Sequence, residues 1–277
     1  MTYDETTARQ LVIEAGHRLL EKKLTARTWG NISARISDTQ FVITPSGRAY
    51  EDLKPEELVV VTIADGSWSG GIRPSSEKGV HAAAYAARRY VNFVIHTHQF
   101  YASAVAAEGR SLDFAPCARY GEAGSPALAA NLEAVIRRYP EDKTFLMTKH
   151  GALLLGSSCE DAFALAETLE EDCRRLVDAR VGRVDYVQSF AAGGRLLRAW
   201  IDDFAQIVGP AASLKNGVDA LCAGADEEDA QAIRMITEKN CAAALYARQA
   251  RPLGLIAAYR KHQDYLNGYS RLKDSNK

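Results

Sequence analysis

Strand-like and helix-like patterns are shared unevenly along this chain, and that asymmetry narrows the folds open to it. Short apolar or β-branched runs at 32–36, 41–43, 59–63, 91–95, 144–147 and 153–155 read as strands. Ser37-Asp38 turns the first run into the second, and Asp65-Gly66 ends the third. Helical periodicity fills the intervals. Residues 5–23 place Ala8, Leu11, Val12, Ala15, Leu19 and Leu20 on one face, with Asp4 as the cap. A second helix is expected over 76–90, and a third from Ser125-Pro126 to Tyr139, with serine capping and proline in first position. A fourth runs over 158–180, where Glu160 and Asp161 complement the helix dipole. Lys54-Pro55-Glu56-Glu57 reads as a single helical turn.

Past residue 190 no strand signal remains. Leu196, Leu197, Trp200, Ile201, Phe204 and Ile207 have helical spacing, as do residues 226–250, ended by Pro252, and 255–266. The expected organisation is therefore an α/β body over 1–208 and a helical C-terminal extension over 209–277. Gly209-Pro210 and Lys215-Asn216-Gly217 mark the joint.

Composition excludes several functions. With 34 Lys+Arg against 35 Asp+Glu in 277 residues, the net charge is −1, which gives no basic field for nucleic acid. No apolar run is long enough for a membrane helix, and the acidic Met1-Thr2-Tyr3-Asp4-Glu5 is unlike a secretory leader. The five cysteines, Cys117, Cys159, Cys173, Cys222 and Cys241, are scattered without C-x-x-C pairs, as expected of a cytoplasmic protein; Cys173 fits an apolar helical stripe.

The chemistry-bearing residues sit at the ends of strands. His96-Thr97-His98 closes an apolar run, and positions i and i+2 share a strand face, so two imidazoles project side by side as metal ligands do. A solvated strand end is the alternative. His150 also follows an apolar run, and three histidines with an open position would make a catalytic metal site. Glu77 lies where the loop Arg73-Pro74-Ser75-Ser76 becomes a helix, a place suited to an anion and equally to an ordinary serine cap. Gly30-Asn31 and Ser46-Gly47 offer further loop groups of either kind. His81 lies one helical turn from Glu77, where it either positions that carboxylate or packs in the core. His17 and His262 have no partner signal.

Taken in order, Thr28-Trp29-Gly30-Asn31-Ile32-Ser33, Thr44-Pro45-Ser46-Gly47, Pro74-Ser75-Ser76-Glu77, His96-Thr97-His98 and Lys149-His150-Gly151 resemble the class II aldolase/adducin family over residues 6–180, nearest to its fuculose-1-phosphate aldolase branch. The resemblance implies a three-layer α/β/α sandwich around a mostly antiparallel sheet, assembled as a homotetramer with active sites at subunit interfaces. It implies that His96, His98 and His150 bind a divalent metal, usually Zn2+, with Mn2+ or Co2+ as alternatives. Glu77 would be the catalytic carboxylate, able to ligate the metal and then swing away as a base. Gly30, Asn31, Ser46, Gly47, Ser75 and Ser76 would hold the phosphate of a small sugar substrate.

The implied reaction makes or breaks a carbon–carbon bond in a phosphorylated ketose through a metal-stabilised enediolate. Desolvation in a closed site is expected to raise the pKa of Glu77 toward its working range. Decarboxylases of 3-keto sugar-acid phosphates and sugar-phosphate 4-epimerases of the family share the intermediate, although the epimerases usually carry aspartate at the position of Glu77. Adducin-head-like interaction modules have typically lost the metal histidines, which this chain keeps. The sequence departs from the fuculose aldolases after His98, where the segment bearing a proton-donating tyrosine is shorter. Tyr120, at a later family position, is the candidate acid or else a half-buried ring. Tyr259, Tyr265 and Tyr269 of the extension would reach a neighbouring site or pack an interface.

Overall fold

Helix α1 (Glu5–Glu21) begins as its sequence dictates: Asp4 accepts from the Thr7 N–H at 2.9 Å and buries Ala8, Val12, Ala15 and Leu19 behind it. The computed structural model describes residues 2–25, 29–215 and 227–269. Met1, Thr28, Asn216, Gly217, Cys222 and Asp226 lie outside the described residues, as does the side chain of Tyr269.

Strands β1 (Asn31–Arg35) and β2 (Gln40–Ile43) form the expected hairpin, with Ser33 opposite Ile43 and Arg35 opposite Phe41. A single 3-10 turn, Pro55–Glu57, leads to β3 (Val59–Thr62), antiparallel to β2. Helix α2 (Lys78–Ala87) precedes β4 (Phe93–Thr97), which pairs with the free side of β1 and sets Asn31 opposite His96. After α3 (Phe100–Ala106), β5 (Cys117–Ala118) and α4 (Pro126–Arg138), the hairpin β6 (Thr144–Met147) and β7 (Gly151–Gly156) completes the sheet. The order is β3-β2-β1-β4-β7-β6-β5, antiparallel throughout except for the β5–β6 pair.

Alternation along the strands sorts side chains onto two buried faces. Phe41, Ile43, Val59, Val61, Val94, Phe145, Met147, Leu153 and Leu155 pack with Val80, Ala84 and Tyr85 of α2 and Leu128, Leu132 and Ile136 of α4. The intervening residues, Ile32, Ala34, Val42, Phe93, Ile95, Leu146, Ala152 and Leu154, are fully buried on the other face. There α1 packs against β1 and β2, and its Arg18 guanidinium lies over the Phe163 ring of α5 (Cys159–Val181) at 4.1 Å. Both faces being covered explains why β4 and β7 are apolar almost without interruption.

The chain forms two compact units, one of residues 1–99 and 110–169, the other of 100–109 and 170–277. Their limits differ from the 1–208 and 209–277 division expected from pattern. The second unit holds α3, the rest of α5, α6 (Tyr186–Ala191), α7 (Asp202–Ile207), α8 (Glu227–Tyr246) and α9 (Leu255–Asp264). Helix α3 gave no clear pattern; Glu170 holds its start by accepting from the N–H groups of Tyr101 and Ala102 at 2.9 and 3.0 Å.

The helical spacing over 196–207 is only half realised. Leu197–Arg198 is a short strand (β8) paired with Ala211–Ala212 (β9), and α7 starts at Asp202. Non-local partners override the local pattern. Asn240 accepts from the Trp200 N–H and donates to Arg198 O, while Ala199 O accepts from the Leu253 N–H. No helix among the described residues is long and apolar enough to cross a membrane.

Candidate metal centre and active site

Three turns of chain meet at one end of the sheet. Thr44 N donates to Ile32 O, Ser75 N to Thr44 O, and Ser46 N to Arg73 O, so Gly30-Asn31, Ser46-Gly47 and Ser75-Ser76 lie on neighbouring segments. Gly30 (φ +76°) and Gly47 (φ +71°) take the left-handed conformation that glycine adopts without strain. Gly30 has a second reason to be glycine: a Cβ there would lie 2.5 Å from His96 O. On the opposite flank, a Cβ on Gly151 would lie 2.2 Å from Thr97 O and 3.3 Å from the His96 ring. Two bare glycines thus let β1 and β7 close on the strand that carries the histidines.

His96 shares the face of Val94, as alternation requires, and His98 follows two residues on. His150 ends the three-residue turn between β6 and β7, where Lys149 takes φ +62°. Glu77 is the residue before α2. It does not cap the helix with its side chain; its N–H donates to Ser75 Oγ at 3.2 Å and its carboxylate turns toward the histidines. The ligand atoms of Glu77, His96, His98 and His150 all lie within 4.8 Å of one another, and all four residues are buried. Glu77 Oε2 is 3.0 Å from His96 Nε2, Glu77 Oε1 2.8 Å from His150 Nε2, and His98 Nε2 2.9 Å from His96 Nε2.

This donor set fits a divalent metal. The Ala152 carbonyl can only accept, so at 2.9 Å it fixes the proton of neutral His96 on Nδ1 and leaves the Nε2 lone pair aimed at the cluster. Lone pairs and carboxylate oxygens this close, in a buried place, repel one another unless a cation or proton lies among them. Three imidazoles and one carboxylate suit the borderline ions, zinc among them.

Burial pushes the Glu77 carboxyl up, but His150 and then His96 beside it pull harder and hold it well below the usual carboxylate range. The expected rise toward a working base is therefore reversed while the carboxylate stays among the imidazoles.

Behind Glu77 lies a set of polar residues that pattern alone had left undivided between core and site. Asn31 Nδ2 donates to Glu77 Oε2 at 3.1 Å, and Asn31 Oδ1 lies 2.5 Å from His81 Nε2. Ser33 Oγ is 2.6 Å from His81 Nδ1 and 2.8 Å from Tyr85 OH. Burial and the neighbouring His96 lower His81 to about 3 against a weaker upward pull from Glu77, so it is neutral near pH 7. Ser33 and Tyr85 were not singled out from sequence. Their signal is a polar i, i+2 pair on a buried strand opposite a polar i, i+4 pair on a helix.

Ser75 is buried and Ser76 exposed beside the tip of the same turn. Tyr120 stands half-buried just after β5, outside the four-ligand cluster, with Asn131 Nδ2 donating to its carbonyl at 3.0 Å.

Known proteins share both the sequence and the fold of this site-bearing region. A 5-methylthioribulose-1-phosphate/5-deoxyribulose-1-phosphate aldolase of Escherichia coli is 38% identical over 159 residues, covering 53% of this chain and 72% of that protein. A 3-oxo-tetronate 4-phosphate decarboxylase of Haemophilus influenzae is 28% identical over 196 residues, covering 65% of this chain and 91% of its own. The solved structure of an L-fuculose 1-phosphate aldolase matches with a TM-score of 0.57 at 26% identity, over 64% of this chain and 88% of that one. The Class II Aldolase and Adducin N-terminal domain matches residues 10–177, well over half of the sequence, and the chain belongs to that family.

Proposed function

We propose that this protein is a divalent-metal-dependent aldolase that cleaves or forms a carbon–carbon bond in a small phosphorylated ketose, with dihydroxyacetone phosphate or a similar donor as one product. The observation that carries the proposal is the buried convergence of Glu77, His96, His98 and His150 within 4.8 Å. In this reading the three histidines hold Zn2+, or Mn2+ or Co2+ in its place. When bound, the ion supplies the field that stabilises negative charge on the donor's oxygens.

The chain's own residues do the rest. In condensation Glu77 leaves the imidazoles and takes the proton from the carbon beside the donor's carbonyl; in cleavage it returns that proton. Away from His96 and His150 the carboxylate loses the contacts that lower its pKa and becomes the stronger base the step needs. Backbone N–H and hydroxyl groups of Gly30, Asn31, Ser46, Gly47, Ser75 and Ser76 hold the phosphate, a role supported by the lacing of their three segments side by side. Tyr120 gives a proton to the aldehyde oxygen. The same reading takes the enzyme as a cytoplasmic homotetramer with interfacial sites.

A screen of ketose 1-phosphates, with coupled detection of dihydroxyacetone phosphate, tests the reaction directly. If none is cleaved while a 3-keto sugar-acid phosphate releases carbon dioxide, the decarboxylase reading replaces this one. Glu77→Gln should keep the metal and lower turnover at least about 100-fold. Equal loss of metal and turnover in that variant contradicts the division of roles.

A further inference from the structure

Five buried residues form an unbroken series that ends on Glu77, and the direction of every hydrogen bond in it is fixed by chemistry. The Glu77 carboxylate only accepts, so the Asn31 amide must present its nitrogen to Glu77 and its oxygen to His81. An amide oxygen only accepts, so His81 Nε2 carries the proton. A neutral imidazole then has a lone pair on Nδ1, which accepts from the Ser33 hydroxyl. Ser33 Oγ in turn accepts from Tyr85 OH. Ser33 and His81 are 0% exposed, Tyr85 1% and Asn31 4%, so no water is at hand to replace a missing partner. Without His81, only the carboxylate would orient the Asn31 amide, and the buried amide oxygen would lose its donor. A flipped amide would set a carbonyl oxygen against the carboxylate.

We propose that His81 is a positioning residue for the reaction: through Asn31, and backed by Ser33 and Tyr85, it holds the Glu77 carboxylate in register with the metal histidines. The inference rests on Glu77 being the base of the proposed function. The histidine is a better choice than an apolar residue because it donates toward Asn31 while accepting from Ser33.

Long-range 1H–15N NMR of the histidine-labelled, metal-loaded protein, with His81→Gln for assignment, reads the tautomer without any need for activity. The expected result is a neutral ring protonated on Nε2; a ring protonated on Nδ1, or an imidazolium at neutral pH, overturns the proposal. Kinetics on the substrate found in the screen supply the second arm. His81→Leu should lower kcat at least tenfold with KM within twofold and zinc content unchanged. His81→Gln, whose amide still donates toward Asn31, should restore most of the loss. A Leu variant with full kcat, or a Gln variant as poor as Leu, overturns the role. Should His81→Leu fail to fold, Ser33→Ala keeps the ring and removes the donor to Nδ1 together with the acceptor of Tyr85 OH, and a kcat unchanged from wild type there has the same force. If the wild type acts on no substrate screened, the function reading falls while the NMR result still decides the series.

Discussion

His81 illustrates how burial sets a single residue's chemistry. Its pKa of about 3 in the folded chain stands against an ordinary value of 6.5. Between those two values the unfolded chain binds a proton that the folded chain does not. Stability is then complete above pH 6.5 and is lost as the pH falls toward 3, by about 1.4 kcal/mol for each unit inside the window. Beyond burial, the largest cause, His96 lowers the ring's pKa further and Glu77 raises it. Chemical denaturation at pH 7 and pH 5, with chelator present so that metal loss does not contribute, isolates the effect. His81→Gln should lose about 2 kcal/mol less than wild type over that interval. Parallel losses in the two proteins would mean that His81 is protonated in the fold.

At the scale of elements, β1 and α2 are fastened by one polar stripe on an otherwise apolar sheet face. Asn31 reaches Glu77 and His81 at the start of the helix, and Ser33 reaches His81 and Tyr85 in its middle. Arg35 reaches the far end, donating to Tyr85 O at 2.7 Å, Arg88 O at 3.1 Å and Val91 O at 2.8 Å. A guanidinium there also answers the negative end of the helix dipole. The stripe fixes α2 along its axis, and so fixes where Glu77 stands. Arg35→Leu takes the donor from carbonyls in the last turn of α2 and just past it and should cost about 2–4 kcal/mol, read as a drop in the denaturation midpoint. A loss within about 0.5 kcal/mol would show that water or other donors serve those carbonyls.

How much of this was legible follows from which interactions are local. His96 and His98 were placed on one face by the two-residue period, and Asp4 and Ser125 were identified as caps because their partners lie three residues away. The sequence order of motifs pointed to His150 and Glu77 as their companions. The turn of Glu77 away from a capping role, the direction of its pKa shift and the part played by Ser33 were not legible. Each depends on residues far apart in the chain, brought together by the pairing of β4 with β1 and β7 and by the packing of α2. Residues 196–207 went astray for the same reason, since Asn240 and Leu253 decide their backbone bonds.

Across the whole molecule, all four proposed metal-site residues belong to the first unit, whereas the most deeply buried ion pair among the described residues belongs to the second. Lys239 of α8 meets Asp203 of α7 at 2.5 Å with both side chains 1% exposed, and Lys261 of α9 meets the adjacent Asp202 at 3.4 Å. An ion pair so placed repays its desolvation only while both partners are present. Lys239→Met leaves the Asp203 carboxylate buried without its ammonium and should cost about 3–5 kcal/mol. Adding Asp203→Leu to the same chain should recover much of that loss, since a buried pair replaced by apolar groups is often neutral. Denaturation of the two variants, followed together with zinc content per folded chain, separates the units. Zinc binding should persist in Lys239→Met at denaturant concentrations below its midpoint, because all four proposed ligands lie in the undamaged unit. Zinc lost under native conditions, in proportion to the stability lost, would instead make the second unit's ion pair a condition for the first unit's site.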